Sequence, residues 1–123
     1  MIWTPSASIE TLKRRAQLLQ QVRHFFYERN YTEIETPCIG THTVTDQYID
    51  SIEVNYNNEI RYLQTSPEYF MKRLLANGSG PIFQICKCFR YEENGKYHNP
   101  EFTMIEWYKP KFTHIELMKE VSD

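Results

Sequence analysis

"FRYEENGKYHNPEFTMIEWY", residues 89–108, sets Arg90, Glu92, Glu93, Glu101 and Glu106 among aromatic rings and a histidine, with Asn94-Gly95 near its centre. Asn-Gly between two alternating segments is a strong hairpin signal, because a tight type I′ turn needs positive φ at both central residues. The stretch therefore predicts two antiparallel strands. Along the second strand Phe102, Met104, Glu106 and Tyr108 take one face, and Glu101, Thr103, Ile105 and Trp107 the other. Along the first, "PIFQICKCFRYE", the residues Gln84, Cys86, Cys88, Arg90 and Glu92 share a face. A face holding Arg90, Glu92, Phe102, Glu106 and Tyr108 is too charged for core without partners and too aromatic for an ordinary solvated surface. A flat anionic ligand that also carries a cation satisfies all of it. Phe102 offers a stacking plate, Arg90 a bidentate grip on phosphate, and Glu106 with Tyr108 a socket for an ammonium. The residues also permit a plainer reading, in which Arg90 and Glu92 pair with Glu101 or Glu106 in a surface ladder and Glu68 complements a helix dipole.

Working outward, "PSASIETLKRRAQLLQQVRHFFYERN" places Ile9, Leu12, Ala16, Leu19, Val22 and Phe26 at steps of three and four, which predicts an amphipathic helix. Ser8 is its N-cap, Glu10 lies in its first turn and Asn30 near its stop. "YTEIETP" is a short extended segment halted at Pro37, and "GTHTVTDQ" is loop. "SIEVNY" and "EIRYLQ" flank Asn57-Asn58 and predict a second hairpin. "TSPEYFMKRLLANG" spells a helix with Ser66 at N-cap, Pro67 at the first helical position, Glu68 in the first turn and Gly78 just past the end. "THIELMKEVSD" begins a last helix from Thr113. Helices and antiparallel strands in this order make an α+β pattern.

The chain has 123 residues, enough for one compact domain with a real core. No apolar run approaches the roughly 20 residues of a membrane span, and the first ten residues carry no secretory signal pattern. A net charge of −2 and a pI near 6.1 argue against a surface built for a phosphate backbone. The three cysteines, Cys38, Cys86 and Cys88, form an odd set that reads as reduced thiols. Cys86 and Cys88 by themselves fall short of the four ligands of a structural zinc site, so they are expected as half-buried strand thiols and no metal ligand is assigned.

The opening stretch resembles motif 2 of the class II aminoacyl-tRNA synthetases in the form used by lysyl-tRNA synthetases, with "FR.E", "HNPEFTM" and "E.Y" in register. The long helix running into "EIETP" resembles motif 1, with Pro37 as its proline, over about residues 8–40. "TSPEYFMKRLL", within 63–78, resembles the substrate-binding segment, and motif 2 spans about 82–109. The implied fold is an antiparallel sheet flanked by helices over residues 1–123. Nothing resembles motif 3, so the chain is expected to be the N-terminal portion of such a catalytic domain, stopping before that motif. "PSASI", Ser66, "GPIFQIC" and Glu92-Glu93 are similar to the lysyl-tRNA synthetase paralogues that modify elongation factor P. With the first helix starting so near the initiator methionine, no OB-fold anticodon-binding domain is expected ahead of it, and tRNA is not expected as the acceptor. Tyr91 departs from the usual asparagine between the arginine and the glutamate.

The resemblance implies an ATP-dependent ligase of the cytoplasm, outside the membrane. It would form the adenylate of lysine or (R)-β-lysine and pass the acyl group to a lysine of elongation factor P. Arg90 would bind the α-phosphate and stabilise its developing charge. Glu92 and Asn99 would hold the adenine end, Phe102 would stack on it, and His98 would lie toward the outer phosphates. Ser66, Pro67, Glu68, Glu106 and Tyr108 would line the pocket for the lysine-like substrate. ATP and Mg²⁺ are implied, the Mg²⁺ ligands lying outside this sequence. Homodimers would form through motif 1. The 123 residues by themselves would be inactive; tRNA aminoacylation and a non-catalytic remnant are the alternatives.

Overall fold

The structure is a computed structural model, and it describes residues 3–91 and 99–122. The first helix, α1 (Ile9–Glu28), starts where the Ser8 side chain accepts the Thr11 N–H at 3.1 Å. It ends in a Schellman motif: Asn30 N–H donates to Tyr27 O, Tyr31 N–H donates to Phe26 O, and Asn30 takes φ 60°. The apolar contact expected of that motif is present, with the Phe26 and Tyr31 rings edge to face at 5.1 Å. Asn at this position is sequence-legible, since its side chain tolerates the left-handed region better than most.

The next strands are β1 (Thr32–Glu33), β2 (Ile39–Gly40), β3 (Glu53–Tyr56) and β4 (Glu59–Leu63). Asn57 and Asn58 have φ of 53° and 62°, the two positive values of a type I′ turn, and set β3 against β4 with Tyr56 opposite Glu59. Helix α2 (Glu68–Ala76) follows, then β5 (Ile82–Phe89), β6 (Glu101–Tyr108) and α3 (His114–Ser122). Helix α2 begins one residue later than predicted. Pro67 is its cap residue, its carbonyl accepting from Met71 N, and the Ser66 hydroxyl reaches Glu68 N–H at a long 3.4 Å. Its end matches expectation, with Gly78 at φ 84° and Ser79 N–H returning to Leu74 O. Thr113 and Glu116 start α3 with reciprocal side-chain-to-backbone bonds, a capping box.

Two three-stranded sheets result, in the orders β1-β5-β6 and β2-β4-β3. One expectation needs correcting. The first sheet is mixed rather than antiparallel, because β1 runs parallel to β5, with Thr32 opposite Ile82. The long excursion through the second sheet and α2 gives the chain the crossover that a parallel pair requires. β2 is a further difference, since Gly40 was expected in loop and instead pairs with Tyr62. Gln64 joins the sheets: its N–H donates to Cys38 O, its carbonyl accepts from Phe89 N–H, and its buried side-chain amide donates to Lys87 O at 2.7 Å.

The core lies between α1 and one face of β5-β6. Phe26 stacks on Phe83 at 4.6 Å, and Val22, Phe25, Tyr31, Ile85, Ile105 and Trp107 close around them. This uses the C-terminal half of the α1 stripe. The N-terminal half stays uncovered, with Ile9 65% and Leu12 46% exposed. Helix α3 has no buried residue and is tied down by Glu120, which accepts from the Tyr31 hydroxyl at 2.6 Å and from Lys109 Nζ at 2.7 Å. None of the described helices is long and apolar enough to cross a membrane.

Candidate functional site

The register of β5 against β6 decides what shares the face opposite the core. Gln84 pairs with Glu106, Cys86 with Met104 and Cys88 with Phe102, while Phe83, Ile85 and Trp107 turn to α1. The alternation expected from sequence is therefore realised strand by strand. Arg90 continues β5 through its N–H bond to Pro100 O, and its guanidinium carbon lies 5.2 Å from the Phe102 ring centroid.

A cavity of about 440 Å³ opens on this face. Ser66, Glu68 and Tyr69 at the start of α2, Arg90, Met104 and Glu106 on the sheet, and Val44, Thr45, Asp46 and Ile49 from the loop before β3 all line it. Four predicted residues, Ser66, Glu68, Arg90 and Glu106, thus converge although they come from separate segments. Tyr108 stands beside them, donating its hydroxyl hydrogen to Glu106 Oε2 at 3.2 Å. Phe102 is half-buried on the same face, and Asn99 is exposed just before β6. Pro67, expected in the substrate pocket, is less than 2% exposed and is not among the residues lining this cavity; it lies between Ser66 and Glu68, which are. Glu92 and His98, like Asn94-Gly95, lie outside the described residues.

The electrostatics are uneven. Burial pushes the Glu106 carboxyl above the usual carboxylate range and the nearby Glu68 charge adds to this, against the Tyr108 hydrogen bond. Burial also raises the Tyr108 phenol, helped by the same carboxylates. Glu68 holds Lys72 one turn along α2, and that hydrogen bond raises the exposed lysine's pKa. Arg90 Nε is buried and has no hydrogen-bond partner among the described residues. Such a group costs roughly 1–3 kcal/mol or more when unsatisfied, so the site gains from an anion placed against Arg90 and from a cation placed between Glu68 and Glu106. Among the described residues Glu101 pairs with Lys87 at 2.9 Å, while Glu92, a member of the salt-bridge-ladder reading, lies outside them.

Sequence reasoning missed the loop from Val44 to Ile49, which walls the cavity, and Tyr69 and Met104, which line it. Met104 was placed on the correct face by alternation, yet nothing in its chemistry marked it as more than core. Tyr91 is exposed and lines a neighbouring hollow of about 680 Å³, with Asp46, Asp50, Glu53 and Tyr62. Among the described residues no three His, Cys, Asp or Glu side chains converge as metal ligands.

A family model described as "tRNA synthetases class II (D, K and N)" matches residues 3–123. The elongation factor P–(R)-β-lysine ligase of Pseudoalteromonas translucida is 53% identical over 128 residues, covering 99% of this chain and 40% of that protein. The ligases of the same name from Photobacterium profundum and Photorhabdus laumondii are 48% and 51% identical, each over 98% of this chain and 39% of their own length. The chain thus spans about two-fifths of the curated relatives it matches. With the family model running through nearly every residue, the chain belongs to the class II tRNA synthetases of the D, K and N group.

Proposed function

We propose that this chain supplies the phosphate- and amine-binding part of a ligase that activates lysine or (R)-β-lysine with ATP and transfers it to a lysine of elongation factor P. The observation that carries the reading is one cavity lined both by Arg90, whose buried Nε has no partner among the described residues, and by the carboxylates Glu68 and Glu106. The ligands wanted there are an anionic phosphate and a cationic amine, which the adenylate of a diamino acid combines. The printed names of the relatives support the acceptor.

In this reading the substrate carboxylate attacks the α-phosphorus of ATP and pyrophosphate leaves. Arg90 holds the α-phosphate and stabilises the charge that grows on it in the transition state. Phe102 supplies the plate for adenine, with Asn99 and Glu92 at its edge and His98 toward the outer phosphates. Glu68, Glu106, Ser66 and Tyr108 hold the substrate amines, and an apolar side chain there would leave the half-buried Glu106 carboxylate without a cation. The acceptor amine then attacks the acyl carbon and AMP leaves. Mg²⁺ would neutralise phosphoryl oxygens; the described residues offer no ligand set for it, and no step here is assigned to it. The uncovered half of α1, with Ile9 and Leu12, is the surface through which two copies would pair, and the reading takes the cytoplasm as the setting of the reaction.

The test takes a ligase of the relatives' full length carrying this sequence, with ATP, (R)-β-lysine or lysine, elongation factor P and lysine tRNA. Mass spectrometry should show elongation factor P gaining one lysyl or β-lysyl group while the tRNA stays uncharged. Charged tRNA with unmodified elongation factor P would transfer the case to aminoacylation.

A further inference from the structure

The ligand face of β5 carries sulfur that the proposed chemistry does not use. Cys86 Sγ and Cys88 Sγ lie 3.8 Å apart, and Cys88 Sγ lies 4.0 Å from Met104 Sδ on β6. Met104 is also the register partner of Cys86, so the three sulfur-bearing side chains share one face of two adjacent strands, with Cys88 Sγ within 4.0 Å of both other sulfurs. Strand positions two apart are separated by about 6.6 Å along the backbone, near the outer limit for a disulfide-bonded pair. The two thiols therefore approach each other without being placed to bond. The two spacings that Cys88 makes suit an atom held between the sulfurs, since three sulfurs each about 2.3 Å from a central metal stand about 4.0 Å from one another in a trigonal plane.

We propose that Cys86, Cys88 and Met104 form a binding site for a soft monovalent metal ion, Cu(I) being the physiological case. The ligand chemistry selects the class. Two thiolates and a thioether favour Cu(I), whereas zinc is held by thiolate, imidazole or carboxylate, and no third such group converges here among the described residues. Binding replaces the two thiol protons by one M⁺ and changes no oxidation state. The resulting site carries one negative charge, and Arg90, poised over Phe102 opposite Cys88, offsets it. Cys88 is fully buried, so the ion enters from the cavity that Met104 lines. Once bound, it would fix the Met104 thioether to the sheet beneath Arg90 and Glu106.

The experiment titrates the reduced 123-residue chain with Cu(I) under anaerobic conditions against bicinchoninate as a chromophoric competitor. One equivalent should bind. Met104→Leu, which keeps the bulk and removes the thioether sulfur, should weaken binding at least about tenfold, and Cys86→Ser by about a hundredfold or more. Cys38→Ser, whose thiol is exposed and outside this group of sulfurs, should leave it unchanged. Met104 and Cys86 are half-buried, so both variants can be checked for native circular dichroism where Cys88→Ser risks misfolding. Wild-type affinity in both variants, loss of binding in Cys38→Ser, or displacement of Cu(I) by equimolar Zn²⁺ would each overturn the assignment.

Discussion

The Tyr108 hydroxyl donates to Glu106 Oε2 at 3.2 Å from two positions along the same strand face, so a phenol steadies a carboxylate that burial makes reluctant to ionise. Because the folded pKa of Glu106 is raised, the fold favours its protonated form. That contribution is complete below the ordinary value of about 4.3 and is lost as pH rises through the raised folded value. At neutral pH the ionised group works against the empty fold. Glu106→Gln should therefore raise the thermal midpoint at pH 7 by up to a few degrees, with the gain vanishing in acid, while abolishing amine binding. Tyr108→Phe should instead weaken lysine affinity about tenfold. Calorimetric titration and thermal melts across pH check both, and an unchanged or lower midpoint for Glu106→Gln at pH 7 would refute the first.

Arg90 is expected to act on the reaction more than on binding. In the full-length ligase Arg90→Ala should lower kcat by roughly 10²–10³ with a smaller change in KM. Arg90→Lys should not restore it, since an ammonium cannot replace the two-pronged guanidinium. Pyrophosphate exchange measures this directly. An equal loss in kcat/KM that came entirely from KM would assign Arg90 to simple substrate affinity.

Pairing through α1 is checked by charge. Ile9 and Leu12 are exposed on the helix stripe, so Leu12→Glu should shift sedimentation toward monomer with helicity retained. A wild-type chain that sediments as a monomer at about 50 µM, a range where micromolar interfaces persist, would remove this surface from the interface.

The turn after α2 gives a clean backbone test. A Cβ at Gly78 would meet nothing within 4 Å, yet its φ of 84° lies in the left-handed region. Gly78→Ala should cost about 1–2 kcal/mol from conformation alone, lowering the thermal midpoint by several degrees. A neutral result would mean that the turn relaxes.

Features with local causes were readable from the sequence. Ser8 capping α1, Asn57-Asn58 turning the β3–β4 hairpin and the β5–β6 alternation each depend on neighbours a few positions away. Ser66, Glu68, Arg90 and Glu106, singled out through the family resemblance, line one cavity, and β-strand periodicity independently placed Arg90 with Glu106. What was not readable depends on distant partners. The β1–β5 pair is two residues long and exists because the chain returns after a long excursion, and the Val44–Ile49 loop, between β2 and β3, reaches the cavity where Thr45 meets Tyr69 of α2. Pro67 looked like a pocket residue from its neighbours, but it is buried and is not among the residues lining the cavity.

Glu120 gives the C-terminal helix an acid-release latch. Burial pushes its carboxyl up, but the Lys109 and Tyr31 hydrogen bonds outweigh this and leave its pKa lowered, so its contribution is present above the unfolded value and is lost as pH falls through the folded one. The Phe26–Phe83 stack has no such titrating group. On acidification α3 should open as a separate cooperative unit while the aromatic core holds, and amide exchange in 114–122 should accelerate before exchange in β5. Glu120→Gln should reproduce that early opening at neutral pH. Among the described residues Glu120 makes the side-chain hydrogen bonds that reach from this helix to the rest of the fold, so its release should leave the sheet that carries Arg90 undisturbed.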